Sequence, residues 1–418
     1  MLPNTGYGSS LRRRGRGNML THAIMMVLGA AVAAVLLLAL YNPASGGTGL
    51  TLPGGAAVPA PGSQSAPVAG GEQAIVAKIK PGLVIIDTVL QYNGESAAGT
   101  GMVINADGLV LTNNHVIDHA TKITAKLAAT GRTYTARVVG YSRAGDIALI
   151  QLANASGLAT VQVGSSSSVK AGSSVVALGN AEGQGAITAT PGQVTGLNQT
   201  ITASENGAST DAETLHGMIQ TNADIVPGDS GGPLASSAGV IGMDTAGNDG
   251  NDQQASAGFA IPISTALSVA RQIAGGHASS TVTIGYPPFV GIFTGSGSAS
   301  SPQEQAQQQQ SGGGFGGGTG NIPRCYTSNS GLTAPPDIAP ASSGALVIGT
   351  ICGSPAAAAG LTGGAVITSV NGHAVRSPDD LTGVLSRFHP GDTISVTWIS
   401  PSGQRTTSSL HLTAGPPQ

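Results

Sequence analysis

The pattern of apolar and polar positions divides this chain into segments of different period. Residues 23–40 (AIMMVLGAAVAAVLLLAL) carry no charge and are nearly all apolar. A run of that length can cross the hydrocarbon core of a bilayer as a helix. From 42 to about 71 the sequence is Gly, Pro, Ala and Ser with almost nothing to bury, which predicts a flexible, partly extended tether. Short β-type runs then alternate with turns from Glu72 to about Ile263: GLVIIDTVL, GTGMVIN, GLVLTNNHVI, DIALIQL, SSVVALGN and VIGMDTAG. Strands spaced in this way, without helices between them, predict an all-β barrel or sandwich. Residues 264–274 (STALSVARQIA) repeat at helical spacing and predict a helix that caps the domain. A second unit begins near Thr281. A Ser-, Gln- and Gly-rich stretch at about 295–320 interrupts it and reads as a disordered insertion. The expected organisation is a basic tail at 1–22, an apolar span at 23–41, a linker at 42–71, a β domain at 72–276 and a smaller domain at 281–415.

Charge gives these segments a compartment. Arg12, Arg13, Arg14 and Arg16 precede the apolar span and no basic cluster follows it. The positive-inside rule then leaves the N-terminus in the cytoplasm and sends the rest across, which predicts a single-pass membrane protein with extracytoplasmic domains. The rival reading, a cleaved signal peptide, calls for a shorter apolar core and a small-residue cleavage site, and no such site is clear at 42–45. Either route exports the remainder. Only 9% of residues are charged, and the chain holds 64 Gly and 24 Pro, a composition that suits short strands and turns over long helices. A net charge of −3 offers no basic footprint for nucleic acid. Two cysteines, Cys325 and Cys352, cannot make a tetrahedral zinc site by themselves, leaving one disulfide or two free thiols.

Candidate chemistry centres on Gly228-Asp229-Ser230-Gly231-Gly232-Pro233. A serine hydroxyl is a poor nucleophile at neutral pH and needs a base, an orienting carboxylate and an oxyanion site. Gly228 lets the backbone turn so that its amide and that of Ser230 can face one point. His115 ends a predicted strand in LTNNHVI, and Asp146 opens another in GDIALI. An aspartate that leads an apolar strand is expected to be buried and to need a donor, which an imidazole Nδ1–H supplies. His115-Val-Ile-Asp-His119 superficially resembles an inverted zincin motif. That chemistry requires Glu as base and a third protein ligand, so no metal or other cofactor is expected.

His115, Asp146 and Ser230 stand in the chain order of the chymotrypsin clan. The phrases TNNHVI, GDIALI, QTNADIVPGDSGGPL, VIGMDT and GFAIPI resemble the HtrA (Deg) family of exported bacterial proteases. The resemblance implies a mainly β fold: a chymotrypsin-like pair of six-stranded barrels set perpendicular, with the site in the cleft between them. It implies ATP-independent endopeptidase activity on unfolded, misfolded or regulatory envelope proteins. His115 would be base and then acid, Asp146 its orienter, Ser230 the nucleophile, and the Gly228 and Ser230 amides the oxyanion donors. Asp224, Thr245, Ala246 and Gly247 would line the primary specificity pocket. An acid at Asp224 would favour a basic residue before the scissile bond, whereas the family usually prefers small aliphatic ones. Asp229 departs from the family's usual Asn. The family forms trimers, but the aromatic residues that assist this are not evident at 72–81, so assembly is left open.

The C-terminal stretch ALVIGTICGSPAAAAGLTGGAVITSVNGHAV resembles the bacterial PDZ fold, an α+β domain that binds an extended peptide by adding it as a strand. Phe289, Val290, Gly291 and Ile292 would form the loop and leading strand that capture a peptide C-terminus. Leu381 and Leu385, four apart on a predicted helix, would line the groove or face the domain core. Ala365 replaces an aspartate common in this motif. In an oxidising compartment Cys325 and Cys352 are predicted to bridge.

Overall fold

The computed structural model describes residues 70–203, 213–247, 257–295, 297–311, 324–329 and 332–417. The expected membrane span and most of the tether lie outside these residues. Among the described residues no helix is long and apolar enough to cross a membrane.

Helix α1 (Gly70–Ile79) leads through one 3-10 turn into β1 (Leu83–Leu90), β2 (Glu95–Asn105) and β3 (Leu109–Thr112). The short helix α2 (Asn114–Ile117), β4 (Lys122–Leu127), β5 (Thr133–Ser142) and β6 (Ile147–Leu152) follow. These strands pair in the order β5-β4-β1-β2-β3-β6, and a β5–β6 pairing closes the ring. A second closed barrel runs β10-β11-β12-β9-β8-β7. Its strands are β7 (Ser174–Gly179), β8 (Thr188–Ala203), β9 (Glu213–Thr221), β10 (Pro233–Ser236), β11 (Gly239–Gly247) and β12 (Gly258–Pro262). Helix α3 (Ile263–Ala274) then packs across β5, β6, β11 and β12.

The continuous apolar run of β1 has a physical cause. Val84 and Ile86 fill the interior of the first barrel. The alternate residues Leu83 and Ile85 face a core shared with Val176, Leu178, Met218, Met243 and Ile261 of the second barrel. Strands buried on both faces lose the apolar–polar alternation of a half-exposed sheet. Ile75 and Ile79 of α1 join the same shared core. The second barrel has its own interior, which includes Val175, Ala177, Ile219, Ala223, Ile225 and Leu234.

The strand β13 (Thr283–Ile284) pairs with Gly140 and Tyr141 of β5, so the residues just after 281 belong to the first barrel's sheet. The second domain therefore starts closer to Pro287 than to Thr281. A two-stranded ribbon joins β14 (Pro288–Phe289) to β21 (Thr413–Ala414). The main sheet runs β15-β16-β17-β19-β20, with β18 on β17. It contains β15 (Ile292–Thr294), β16 (Ala345–Thr350), β17 (Val366–Val370), β18 (His373–Ala374), β19 (Thr393–Ile399) and β20 (Arg405–His411).

Three helices accompany this sheet: α4 (Pro302–Ser311), α5 (Pro355–Ala358) and α6 (Pro378–Leu385). Helix α4 corrects the expectation of a disordered insertion at 295–320 for residues 302–311; position 296 and 312–320 lie outside the described residues. Ala306 packs with Leu346, Ile348 and Val366. Gln305 is buried, with Nε2 donating to the carbonyls of Ala299 (2.8 Å) and Gly344 (2.7 Å) and Oε1 accepting from the Leu346 amide (2.8 Å). A glutamine satisfied at both ends can be buried without the usual desolvation cost. Composition alone conceals that.

Candidate active site

His115 sits in the first turn of α2, directly after β3. Val116 and Ile117 are buried in the first barrel and fix the helix there. Asp146 lies on the turn that precedes β6, in a left-handed conformation with φ 49°. Its amide donates to the Arg143 carbonyl (2.9 Å), and its own carbonyl accepts from Asn113 Nδ2 (2.8 Å). The carboxylate is 3% exposed and receives donors from both barrels. His115 Nδ1 lies 3.0 Å from each oxygen, and the His115 amide donates to Oδ1 at 3.1 Å. The Thr245 hydroxyl, on β11 of the second barrel, donates to Oδ2. A buried carboxylate with this many donors is held in one orientation, and with it the imidazole.

Ser230 arrives on a turn that depends on glycine. Gly228 has φ 95° and Gly231 φ 83°. A Cβ on Gly228 would stand 2.2 Å from the Asn180 carbonyl, and one on Gly231 would stand 2.1 Å from the Thr100 carbonyl. The Ser230 hydroxyl donates to the Thr245 carbonyl at 3.2 Å. Thr245 therefore touches both acid and serine, one through its side chain and the other through its backbone. The Pro227 carbonyl accepts from the Glu182 amide at 2.6 Å. Because a trans peptide points its N–H opposite to its C=O, the Gly228 N–H faces away from Glu182. Among the described residues the Gly228 and Ser230 amides donate no backbone hydrogen bond.

Two further acids lie beneath the turn. Asp229 Oδ2 accepts from the Val226 amide (3.1 Å), while Oδ1 is buried without a partner. Burial, opposed by that amide and reinforced by the Asp224 carboxylate, raises the Asp229 pKa from 3.8 to about 6. Asp244 is fully buried with both oxygens unpartnered. Burial and then the Asp229 charge push its carboxyl well above the usual range.

The expected pocket residues are placed unevenly. Asp224 is exposed, between the buried Ala223 and Ile225, and its charge acts on Asp229. Thr245 directs its hydroxyl to Asp146 and not into a pocket. Ala246 and Gly247 continue β11 opposite Phe259 and Gly258. Sequence reasoning missed Thr245 and Asn113 as partners of Asp146: both lie in recognisable phrases, VIGMDT and TNNHVI, but a phrase does not say which distant group a side chain meets. Only barrel closure brings Thr245 from 99 positions away.

In the second domain Phe289 stacks on Tyr92 of the first barrel, with ring centroids 5.6 Å apart. Gly291 has φ 79°, and its carbonyl accepts from the Ile351 amide (2.9 Å) and the Ser354 hydroxyl (3.0 Å). The Val290 carbonyl accepts from the Ala356 amide at 2.9 Å. The strand that follows, β15 with Ile292, is an edge of its sheet. Leu381 is 5% exposed and belongs to the core, whereas Leu385 and Ile292 are half-buried at its margin. Cys325 and Cys352 are joined in a disulfide. Among the described residues no group of acids, histidines or cysteines is arranged to hold a metal.

Two closed barrels with an acid–histidine pair and a serine at their junction, followed by a sheet with an edge strand beside a helix, define a class: a trypsin-like peptidase domain joined to a PDZ domain. The trypsin-like peptidase domain family matches residues 99–243, and the PDZ domain family matches residues 329–406. Within that class the chain is similar to proteases of the HtrA/Deg type. It is 29% identical over 354 residues to "Serine protease PepD" of Mycobacterium tuberculosis, covering 81% of this chain and 65% of that protein. It is 31% identical to "Periplasmic pH-dependent serine endoprotease DegQ" of Escherichia coli, covering 71% of this chain and 55% of that protein. The chain thus spans less than two thirds of the length of these relatives. A solved structure, "HtrA-type protease AlgW with tripeptide", shares 26% identity over 83% of this chain and 98% of its own, with a TM-score of 0.43.

Proposed function

We propose that this chain is a serine endopeptidase that cleaves unfolded or regulatory proteins outside the cytoplasm, held to the membrane by one helix at 23–40. The observation that carries this reading is the buried Asp146 gripping His115 Nδ1 at 3.0 Å, with Ser230 bonded to the same Thr245 that caps the acid. Asp146 fixes the tautomer that leaves Nε2 as base. The Ser230 hydroxyl turns from the Thr245 carbonyl to Nε2, loses its proton there and attacks the peptide carbonyl. The resulting oxyanion is received by the Gly228 and Ser230 amides. The imidazolium then protonates the leaving amine, and water releases the acyl group by the reverse sequence.

The exposed Asp224 favours no enclosed salt bridge with a substrate cation, so a small aliphatic residue before the scissile bond fits better than Arg or Lys. The PDZ domain takes the C-terminus of an extended peptide along β15, with Gly291 in the carboxylate loop and Leu385 lining the groove. An assembly of three chains would follow the family resemblance. The activity is tested by labelling with a fluorophosphonate and by casein turnover in wild type and Ser230→Ala. Labelling that persists in the variant would remove Ser230 as the nucleophile, and silence of the wild type with and without PDZ peptides would favour a peptide-binding module over an enzyme.

A further inference from the structure

The geometry points to Thr100 as a positioning residue for this reaction: its hydroxyl sets the direction of the Gly228–Asp229 peptide and so aims the main-chain donors beside Ser230. The inference rests on the peptidase reading above. Thr100 is fully buried in β2 of the first barrel, across the seam from the serine turn. Its hydroxyl accepts the Asn180 amide proton at 2.9 Å and donates to the Gly228 carbonyl at 2.8 Å. Its amide donates to the Ser230 carbonyl at 2.9 Å, and its carbonyl accepts from the Thr112 hydroxyl at 2.7 Å. A hydroxyl has one proton to give. With an N–H already pointing at the oxygen, that proton has one destination, and the arrangement has a single sense.

Each peptide of the turn is pinned at its other atoms. The Pro227 carbonyl is bound by Glu182. The 228–229 peptide is held at both ends, its carbonyl by Thr100 and its N–H by the Val226 carbonyl (3.0 Å). The Asp229 carbonyl accepts from the Gly232 amide (2.8 Å). The 230–231 peptide is also held at both ends, by the Thr100 amide and by the Asp244 carbonyl (2.8 Å). What remains unpinned are the Gly228 and Ser230 N–H groups, the two the reaction needs. Gly228 is the soft point, because a residue without Cβ does not hold its own dihedrals. The Thr100 hydroxyl supplies that restraint from the other barrel. Removing it leaves both the Asn180 N–H and the Gly228 carbonyl buried without a partner.

The test compares the full-length wild type, Thr100→Val, Thr100→Ser and Ser230→Ala in casein hydrolysis and in the rate of fluorophosphonate labelling, with thermal unfolding in parallel. Valine keeps the shape and loses the hydroxyl; serine keeps the hydroxyl. A missing oxyanion donor costs ~100- to 1,000-fold in kcat, so a mis-aimed one in Thr100→Val should cost roughly 10- to 100-fold, with KM within about twofold. Thr100→Ser should recover most of that loss. Should Thr100→Val not fold, Thr100→Cys, a weak donor of similar size, replaces it and is expected to lose kcat at unchanged KM. A Val or Cys variant whose kcat stays within about twofold of wild type, whatever its unfolding temperature, overturns the inference. So does a Thr100→Ser variant as slow as Thr100→Val. A wild type that neither labels nor cleaves fails the peptidase reading itself, a result distinct from either of these.

Discussion

Among single side chains, Asp146 and Asp229 show how differently two buried acids are treated. Asp146 is surrounded by donors: an imidazole, a main-chain amide and the Thr245 hydroxyl. Asp146→Asn would preserve the shape but present an amide N–H where Nδ1–H needs an acceptor, favouring the wrong tautomer. Casein turnover should fall ~10⁴-fold with little change in unfolding temperature; retention of a tenth of the activity would contradict the assigned role. Asp229 has one amide donor and an orphaned oxygen. Its pKa in the folded chain is about 6, against an ordinary 3.8. Between those values the folded chain keeps a proton that the unfolded chain has released. Stability therefore falls as pH rises through that window, and the cost is fully present above it. Asp229→Asn abolishes the ionisation. Its free energy of unfolding should exceed the wild type's at pH ~7.5 by up to ~3 kcal/mol, and the gap should close toward pH ~4. A gap independent of pH would rule this out. The sequence singles out Ser230, His115 and Asp146 as candidates because each stands in a distinctive local phrase. Asn113, Thr245 and Thr100 lie in the phrases TNNHVI, VIGMDT and GTGMVIN, but the sequence does not say which groups their side chains meet, because those partners are distant along the chain.

Secondary elements show the same limit from the other side. The apolar runs of β1, β6 and β7 were legible as strands, and residues 264–274 as a helix, because burial imposes their periodicity. Helix α4 was not, because one glutamine and one alanine do the packing within a run that reads as low complexity. In α6 the two leucines separate by depth. Leu381→Ala should destabilise the PDZ domain by about 3 kcal/mol, as for other buried leucines. Leu385→Lys, at the half-buried margin, should leave unfolding nearly unchanged while weakening the binding of C-terminal peptides, measured by fluorescence anisotropy. Equal effects of the two on stability would contradict the groove assignment. The Cys325–Cys352 bridge closes a loop with a sequence separation of 27. On a chain-entropy model it contributes ~3 kcal/mol. Thiol titration of the unfolded, unreduced chain should find none, and reductant should lower the melting of the PDZ domain more than that of the barrels.

Across the whole molecule, the two domains meet through specific contacts and not only a tether. Phe289, at the head of the PDZ loop, stacks on Tyr92, and the Tyr92 carbonyl accepts from the Asn329 amide (2.6 Å). The Pro417 carbonyl accepts from the amide of His119, just past the helix that carries His115 (2.9 Å). The sequence gives no sign of this junction, because its partners are separated by hundreds of positions. The proposed anchor makes its own prediction: the full chain should stay with membranes after alkaline extraction, and deletion of residues 1–41 should release a soluble protein with unchanged casein turnover. Release of the full chain would exclude the anchor. The central claim is that Asp146, His115 and Ser230 converge with two main-chain donors into one working nucleophile. Its most direct test is the rate of fluorophosphonate labelling in wild type, Ser230→Ala and His115→Ala. Stoichiometric modification of Ser230, abolished in the first variant and slowed at least ~1,000-fold in the second, is expected; labelling at another residue, or at Ser230 with undiminished rate in His115→Ala, would contradict it.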